Sequence, residues 1–205
     1  MTFNLERISS GLKDRGYDYN HELIQPLSCA AVLVPLIKHN GVISLLLTRR
    51  AFNMTHHAGE VAFPGGMWEQ GDDFPLVTAL REAEEEIALK PKDVNVLGLL
   101  PTVYTRNDTK VIPVVGVIKA PQPSLVCNPA EIDSIFMIPL TELMSDSRIR
   151  TDIFLRRGEH GWAPAYHYRG YDIWGMTAAV IKELLVRCFE YDFPKKHHAP
   201  EKHWQ

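Results

Sequence analysis

Two apolar runs joined by an Asn-Gly pair constrain the fold more than any other feature of the sequence. Residues 27–37 and 42–50 are rich in Leu, Ile and Val, and Asn40-Gly41 lies between them. Asn-Gly between two apolar runs is a strong signal for a two-residue β-hairpin, because both turn positions need a positive φ. The sequence therefore predicts two buried strands paired as a hairpin.

Shorter apolar runs between turn residues predict further strands. These strands are expected at 61–63, 94–102, 111–119, 131–140 and in a last hairpin within 165–175. Pro113 is expected to interrupt one of them, since proline cannot donate a hydrogen bond to a neighbouring strand. Residues 141–164 carry no clear pattern, so they are predicted to be irregular.

Three segments have the apolar spacing of helices. Residues 176–191 predict a final helix, and a middle helix is expected from Asp73, which could cap its first turn, to about Ala88. A short N-terminal helix is predicted by the spacing of Leu5, Ile8 and Leu12. Strands and helices without regular βαβ alternation indicate an α+β fold.

The predicted organisation is a single domain over residues 1–194. Its first 25 residues or so are expected to be a helical extension, and residues 195–205 a flexible tail. The chain of 205 residues is 45% hydrophobic and 23% charged, which is a globular composition. The length and composition therefore favour one sizeable core.

Charge and hydropathy exclude several classes of partner. The net charge of −3 gives no basic face for a nucleic acid. No apolar run approaches the roughly 20 residues that span a bilayer, so no membrane partner is expected. The three cysteines are far apart, which fits neither a disulfide framework nor a cysteine metal site. These observations predict a protein of the reducing cytoplasm.

The middle helix carries four glutamates in five positions. On a helix, Glu82, Glu85 and Glu86 share one face, whereas Glu84 points elsewhere. Like charges at this spacing repel, and Arg81 can pair with Glu85 but cannot neutralise the group. Three carboxylates on one face suit Mg²⁺ or a similar cation that also binds substrate phosphates. The alternative is a solvated acidic surface, which is what most charge runs are.

Residues 66–89, GMWEQGDDFPLVTALREAEEEIAL, resemble the Nudix box, G-x5-E-x7-R-E-U-x-E-E-x-G-U, where U is bulky and aliphatic. The gap after Gly66 is one residue longer, its acid is taken as Asp73, and Ala88 replaces the late glycine. The resemblance implies a three-layer αβα sandwich with a mixed β-sheet and hydrolysis of a diphosphate derivative. It also implies that Mg²⁺ or Mn²⁺ is held by Glu82, Glu85 and Glu86, with Arg81 orienting a glutamate.

The preceding stretch, LLTRRAFNMTHHAGEVAFPGG at 46–66, is similar to the signature of coenzyme A diphosphatases, L-L-T-x-R-[SA]-x3-R-x3-G-x3-F-P-G-G. One position differs, because Thr55 stands where that signature has arginine. The resemblance implies that this segment binds the substrate. The absence of an arginine at position 55 removes one candidate phosphate contact.

Four residues of this region are candidate substrate contacts. Arg50 suits bidentate phosphate binding, although it could also be an ordinary strand-end arginine. Phe63 either lines a base pocket or packs in the core. Gly65 and Gly66 would let the backbone approach a ligand closely. His56 and His57 are more simply interpreted as loop surface, because no second ligand pattern accompanies them.

Hydrolysis also needs a group that accepts a proton from water. Outside the acidic helix the best candidate is Glu131, which precedes a predicted strand after a long loop. The alternatives are one of the helix glutamates as base, with Glu131 a solvent-facing residue.

The first functional hypothesis is a metal-dependent hydrolase that cleaves coenzyme A or a derivative to 3′,5′-ADP and 4′-phosphopantetheine. The second is a Nudix hydrolase for another nucleoside diphosphate derivative, such as ADP-ribose, NADH or a dinucleotide polyphosphate. A third is a nucleotide-binding module without catalysis, which the complete set of expected carboxylates disfavours. The expected partner is then a small nucleotide substrate similar to coenzyme A. A homodimer is one of the assembly states that the sequence leaves open.

Overall fold

The computed structural model describes residues 5–13, 29–105, 107–156, 159–194 and 197–204. The helices in these ranges are α1 (Leu5–Lys13), α2 (Leu76–Ile87), α3 (Leu140–Met144) and α4 (Gly175–Phe189). The strands of the first sheet are β1 (Cys29–His39), β2 (Val42–Arg50), β3 (Val61–Ala62), β4 (Gly65–Met67), β5 (Val94–Leu99), β6 (Val103–Tyr104), β7 (Lys110–Ile118) and β8 (Ile132–Pro139). The second sheet contains β9 (Arg150–Arg156), β10 (Glu159–Tyr168), β11 (Tyr171–Ile173) and β12 (Glu201–Trp204).

The predicted hairpin forms the centre of the first sheet. β1 and β2 pair antiparallel, and Asn40 and Gly41 take φ values of 48° and 80° in the turn between them. β1 also runs parallel to β7 over nine residue pairs, which makes the sheet mixed. Because both faces of β1 are covered, its first nine residues are all buried.

Helices cover both faces of this sheet and confirm the predicted three-layer αβα sandwich. On one face, α2 buries Ala79, Ala83 and Ile87 against β1, β2 and β7. On the opposite face, α1 and α4 pack together in a second apolar cluster, in which Ile8 and Leu12 are buried. The N-terminal helix is therefore part of the core, and the rest of the predicted extension lies outside the described residues.

The prediction of an irregular segment at 141–164 is wrong. β9 and β10 form an antiparallel hairpin there, and β10 continues into the predicted hairpin with β11. The strand signal of β9 in the sequence is weak because two of its buried residues, Thr151 and Asp152, are polar. Gly161 in β10 leaves room for the ring of Phe154 on the neighbouring strand.

The predicted flexible tail at 195–205 is also corrected by the structure. Residues Glu201–Trp204 form β12, which pairs in parallel with β9. The ring of Trp204 stacks on Trp174, with centroids 5.6 Å apart and planes 9° apart. Backbone pairing and aromatic packing thus fix a segment whose polar composition gave no strand signal.

Pro113 does not interrupt β7. It pairs with Val32 of β1 on one side. On the other side it lies opposite the break between β5 and β6, where its carbonyl accepts a hydrogen bond from the backbone N–H of Leu100 at 3.0 Å. Among the described residues, the structure contains no helix long and apolar enough to cross a membrane.

Candidate active site

Helix α2 presents its carboxylates beside the buried face that packs on the sheet. It begins at Leu76 after Pro75, later than predicted, and no side chain caps it, so the prediction that Asp73 is the cap is wrong. The helix ends where Ala88 takes a left-handed conformation, with φ 57° and ψ 24°. That conformation favours glycine, which explains the late glycine of the Nudix-box pattern at this position.

Arg81 organises the acidic groups around it. Its guanidinium donates to the Asp72 carboxylate at 3.2–3.3 Å and to the Met67 carbonyl at 3.1 Å. It also lies 3.0 Å from Glu82 and 3.1 Å from Glu85, which confirms the predicted pair with Glu85. Burial opposes protonation of Arg81, but the hydrogen bond to Asp72 and the charge of Glu82 hold its pKa above the ordinary value.

Asp72, rather than Asp73, is the acid that meets this arginine. Besides Arg81, the Asp72 carboxylate accepts hydrogen bonds from the Thr78 hydroxyl at 2.9 Å and the Glu69 N–H at 3.3 Å. Although burial opposes ionisation, these hydrogen bonds hold the pKa of Asp72 below its usual value. The sequence analysis missed this residue. The signal was present, because a five-residue gap after Gly66 leads to Asp72.

The Glu82 carboxyl lies directly against Gly66. A Cβ atom at position 66 would lie 2.4 Å from the carboxyl carbon of Glu82, so a larger residue there would displace this carboxyl group. Burial raises the pKa of Glu82, Arg81 opposes this effect, and the negative charges of Glu85 and Glu131 add to it. The lack of a side chain at Gly66, the second glycine of the Pro-Gly-Gly turn, therefore leaves room for the Glu82 carboxyl group.

Glu86 is the most buried of the three carboxylates, with 3% of its side chain exposed. It accepts a hydrogen bond from the Gly65 N–H at 3.2 Å, and the nearest Arg50 nitrogen is 4.0 Å away. Burial raises the pKa of Glu86 to about 8, opposed by Gly65 and Arg50 and reinforced by the charges of Glu82 and Glu131. An under-compensated buried carboxylate of this kind indicates a functional site.

Gly65 has a steric role of its own. Its φ is 157°, in a region that L residues rarely adopt, and an added Cβ would lie 2.6 Å from Val32 Cα. The position therefore requires glycine, which brings the backbone N–H to Glu86.

Arg50 and Glu131 approach the same carboxylates from the neighbouring strands. Arg50 ends β2, and the N–H of Ala51 donates to the Glu131 carbonyl at 2.8 Å, which joins the end of β2 to the start of β8. Glu131 is close enough for its charge to raise the pKa values of Glu82 and Glu86. The structure thus brings together Arg50, Glu131, Glu82 and Glu86.

Comparison with known proteins shows to which family the chain belongs. A model of the NUDIX domain matches residues 27–157. The chain belongs to the Nudix family. The protein named uncharacterized Nudix hydrolase NudL from Cronobacter sakazakii is 40% identical over 161 residues, which cover 78% of this chain and 83% of that protein. NudL of Escherichia coli is 39% identical over 158 residues, or 77% of this chain and 81% of that protein.

A solved Nudix structure shows the same fold. The crystal structure of a MutT/nudix family protein from Enterococcus faecalis superimposes with a TM-score of 0.51 at 14% identity. The match covers 93% of this chain and 76% of that one. Together with the relatives named NudL, the family match identifies the chain as a Nudix hydrolase, an enzyme that acts on diphosphate bonds.

Nudix hydrolases generally use divalent metal ions, and the donor set here partly fits such an ion. Glu86 is buried and Glu82 is partly buried, and a cation would relieve the repulsion between their carboxylates, to which Glu131 adds. Glu85 differs, because 54% of its side chain is exposed and it pairs with Arg81. Among the described residues, no three acidic, histidine or cysteine side chains converge closely enough to hold a metal. The structure therefore brings two of the three predicted ligands together.

Phe63 and the two histidines lie apart from these groups. Phe63 is 4% exposed and packs in the core cluster that contains α1 and α4. Of the two alternatives for Phe63, this burial favours packing in the core over the lining of a base pocket. His57 forms an exposed pair with Glu60 at 2.9 Å, and His56 is exposed, which agrees with their interpretation as loop surface.

Proposed function

We propose that this Nudix hydrolase cleaves the diphosphate of coenzyme A or a derivative, giving 3′,5′-ADP and 4′-phosphopantetheine or its acylated form. The observation that carries the proposal is the position of Arg50, the residue that matches the first arginine of the coenzyme A-type signature. Its guanidinium faces the acidic centre, 4.0 Å from Glu86. Its Nε atom is buried and has no hydrogen-bond partner among the described residues. Because 24% of the Arg50 side chain is exposed, the accessible part of its guanidinium is the proposed contact for a substrate phosphate.

Glu82, Glu85 and Glu86 are the proposed ligands of Mg²⁺ or Mn²⁺. Glu85 would turn from Arg81 to join the other two, since its long side chain is half exposed. When bound, the cation would polarise the phosphoryl oxygens and offset their negative charge. Arg81 would keep Glu82 in place through its 3.0 Å contact.

Glu131 is the proposed base, which would accept a proton from the attacking water. Its charge affects the pKa values of Glu82 and Glu86, whereas the ion pairs of Arg81 go to Asp72, Glu82 and Glu85. Glu131→Gln should lower kcat by roughly a hundredfold or more, because it removes the proton acceptor. An unchanged kcat would transfer the role to a glutamate of α2.

A panel of substrates tests the proposal directly. The protein is incubated with coenzyme A, ADP-ribose, NADH or a diadenosine polyphosphate, each with Mg²⁺ or Mn²⁺ and with chelator. Preferred, metal-dependent cleavage of coenzyme A is expected. Preferred cleavage of ADP-ribose would refute the coenzyme A assignment, and no cleavage of any substrate would refute the proposed catalysis.

The second candidate is a hydrolase for another nucleoside diphosphate derivative, and Thr55 is the residue that favours it. Thr55 is exposed in the loop after β2, where the coenzyme A-type signature has arginine. If a phosphate contact is missing there, Thr55→Arg should lower the KM for coenzyme A and leave kcat near its original value. An unchanged KM would show that position 55 does not bind the substrate. Cytoplasmic location and dimer formation stay predictions.

A further inference from the structure

The segment 125–131, which leads into β8, is attached to the last turn of α2. The N–H of Val126 donates to the Ile87 carbonyl at 3.1 Å, and the N–H of Asn128 donates to the Glu86 carbonyl at 2.8 Å. The last carbonyl groups of a helix have no partner within the helix, so these two hydrogen bonds satisfy groups that would otherwise lack one. The segment is therefore fastened to the turn of α2 that carries Glu86.

The side chains of this segment pack on the same face of the sheet as α2. Leu125 and Cys127 contact the apolar cluster that contains Ala83 and Ile87, whereas Val126 between them is exposed. Alternating burial of this kind is typical of an extended chain. The segment thus approaches the acidic groups along the face of the sheet that α2 covers.

Asn128 determines how the chain turns towards Glu131. Its side-chain Oδ1 accepts a hydrogen bond from the N–H of Ala130 at 3.2 Å. Its backbone carbonyl accepts from the N–H of Glu131 at 3.0 Å and from that of Ile132 at 2.8 Å. An asparagine that bonds to the backbone two residues on closes a turn, and Pro129 restricts this turn further by fixing its own φ.

The backbone of Glu131 is held at both of its polar groups. Its N–H donates to the Asn128 carbonyl, and its own carbonyl accepts from the N–H of Ala51 at 2.8 Å. Its carboxylate is close enough to Glu82 and Glu86 for its negative charge to raise their pKa values. The distance between these carboxylates and that of Glu131 therefore depends on the turn that Asn128 closes.

We propose that Asn128 is a positioning residue, which holds Glu131 at a fixed place relative to the glutamates of α2. This inference rests on the proposed function, because it assumes that Glu131 accepts the proton of the attacking water. A displacement of about 1 Å can lower the rate of an enzyme roughly a hundredfold, so a looser turn should reduce kcat. Asn128 is not among the proposed substrate contacts, so KM should change little.

A matched pair of variants tests the side-chain hydrogen bond of Asn128. Valine and threonine have nearly the same shape, but only threonine keeps an oxygen that can accept from the N–H of Ala130. For the preferred substrate of the panel, Asn128→Val should lower kcat about tenfold and leave KM within about twofold. Asn128→Thr should keep kcat within about threefold of wild type. Equal kcat values in the two variants, or a loss confined to KM, would overturn the proposal.

A double-mutant cycle shows whether the loss of activity passes through Glu131. In the Glu131→Gln background, Asn128→Val should lower kcat by less than about twofold, because the group that it displaces is already absent. Ser145→Ala, which removes a side-chain hydrogen bond to the Glu142 carbonyl after α3, is the control and should leave kcat unchanged in both backgrounds. An equal loss from Asn128→Val in both backgrounds would indicate a general effect on the fold and overturn the proposal.

The same experiments separate this inference from the proposed function. Absence of wild-type turnover would refute the proposed hydrolysis, and an unchanged kcat in Glu131→Gln would refute Glu131 as the base and the role of Asn128 with it. A large loss in Glu131→Gln together with an additive cycle would refute the role of Asn128 alone. If thermal melting shows that Asn128→Val is unfolded, Asn128→Ala, which also lacks the acceptor but has no branched side chain, replaces it in both experiments.

Discussion

Two buried acidic residues in different parts of the molecule have opposite surroundings. Asp146 is 5% exposed, and its carboxylate meets the guanidinium of Arg148 at 2.5 Å. Glu86 is 3% exposed, yet its nearest arginine nitrogen is 4.0 Å away and two other glutamates raise its pKa. Burying a charge is costly unless a partner compensates it. The chain supplies that partner for Asp146, whereas Glu86 has only the N–H of Gly65 and the more distant guanidinium of Arg50.

Removing the Glu86 charge should have the largest effect on activity. Glu86→Gln is expected to lower kcat by roughly a thousandfold, because a lost metal ligand removes several kcal/mol of transition-state stabilisation. Steady-state assays with Mg²⁺ or Mn²⁺ measure it, and thermal melting should show an intact fold. Glu84→Gln, on the same helix, is the matched control and should retain activity. Near-normal activity of Glu86→Gln would exclude Glu86 from the metal site.

Breaking the compensated pair should act on stability instead. Arg148→Met leaves Asp146 buried without its cation, so a loss of about 3 kcal/mol in the free energy of unfolding is expected. Urea titration measures this loss. Arg187→Ala, which breaks the more exposed pair with Glu183, should cost only about 0.5 kcal/mol. Equal losses in the two variants would remove the distinction between a structural pair and a surface pair.

The raised pKa of Glu86 predicts how the metal-free protein responds to pH. The folded state keeps this proton up to a pH of about 8, whereas the ordinary value is 4.5. The folded state thus binds more protons between these values, and stability falls as pH rises through them. The fall should be on the order of a few kcal/mol at most. Unfolding at pH 5 and pH 8 with chelator measures it, and a fall of the same size in Glu86→Gln would contradict the assignment.

A smaller effect is expected at Asp72, which acts through Arg81. Asp72→Asn weakens the hydrogen bonds that hold the guanidinium, so activity should fall about ten- to a hundredfold, the usual range for a group that supports a metal ligand. Asp73→Asn is the matched control, since Asp73 makes no side-chain contact with Arg81 in the described structure. If Asp73→Asn lost more activity than Asp72→Asn, the two residues would have to exchange roles.

The local signals in the sequence identified the hairpin and the acidic helix. Asn40-Gly41 and the apolar spacing of α2 act over neighbouring residues, so they can be recognised without the fold. Helical periodicity also placed Glu82, Glu85 and Glu86 on one face. It could not show that Glu86 is buried while Glu85 is exposed, because depth depends on which strands lie beneath the helix.

Other features depend on contacts between distant segments. β9 carries inward polar residues, and β12 is recognisable only by its pairing with β9. Asp72 and Asp73 are adjacent in a loop, where no periodicity distinguishes the residue that faces Arg81. Phe63 was uncertain for the same reason, since an aromatic residue near a glycine turn fits either a pocket or a core.

The pairing of β12 with β9 affects whether a strand of another molecule can add to this sheet. β12 occupies the hydrogen-bonding edge of β9, so the polar backbone of that strand is not offered to another chain. The edge that replaces it carries Glu201, Lys202 and His203, all exposed. Charged residues at a sheet edge discourage the addition of foreign strands. Residues 201–204 thus cover the edge of β9. Removing them would expose the backbone hydrogen-bonding groups of β9 to pairing with a strand of another molecule.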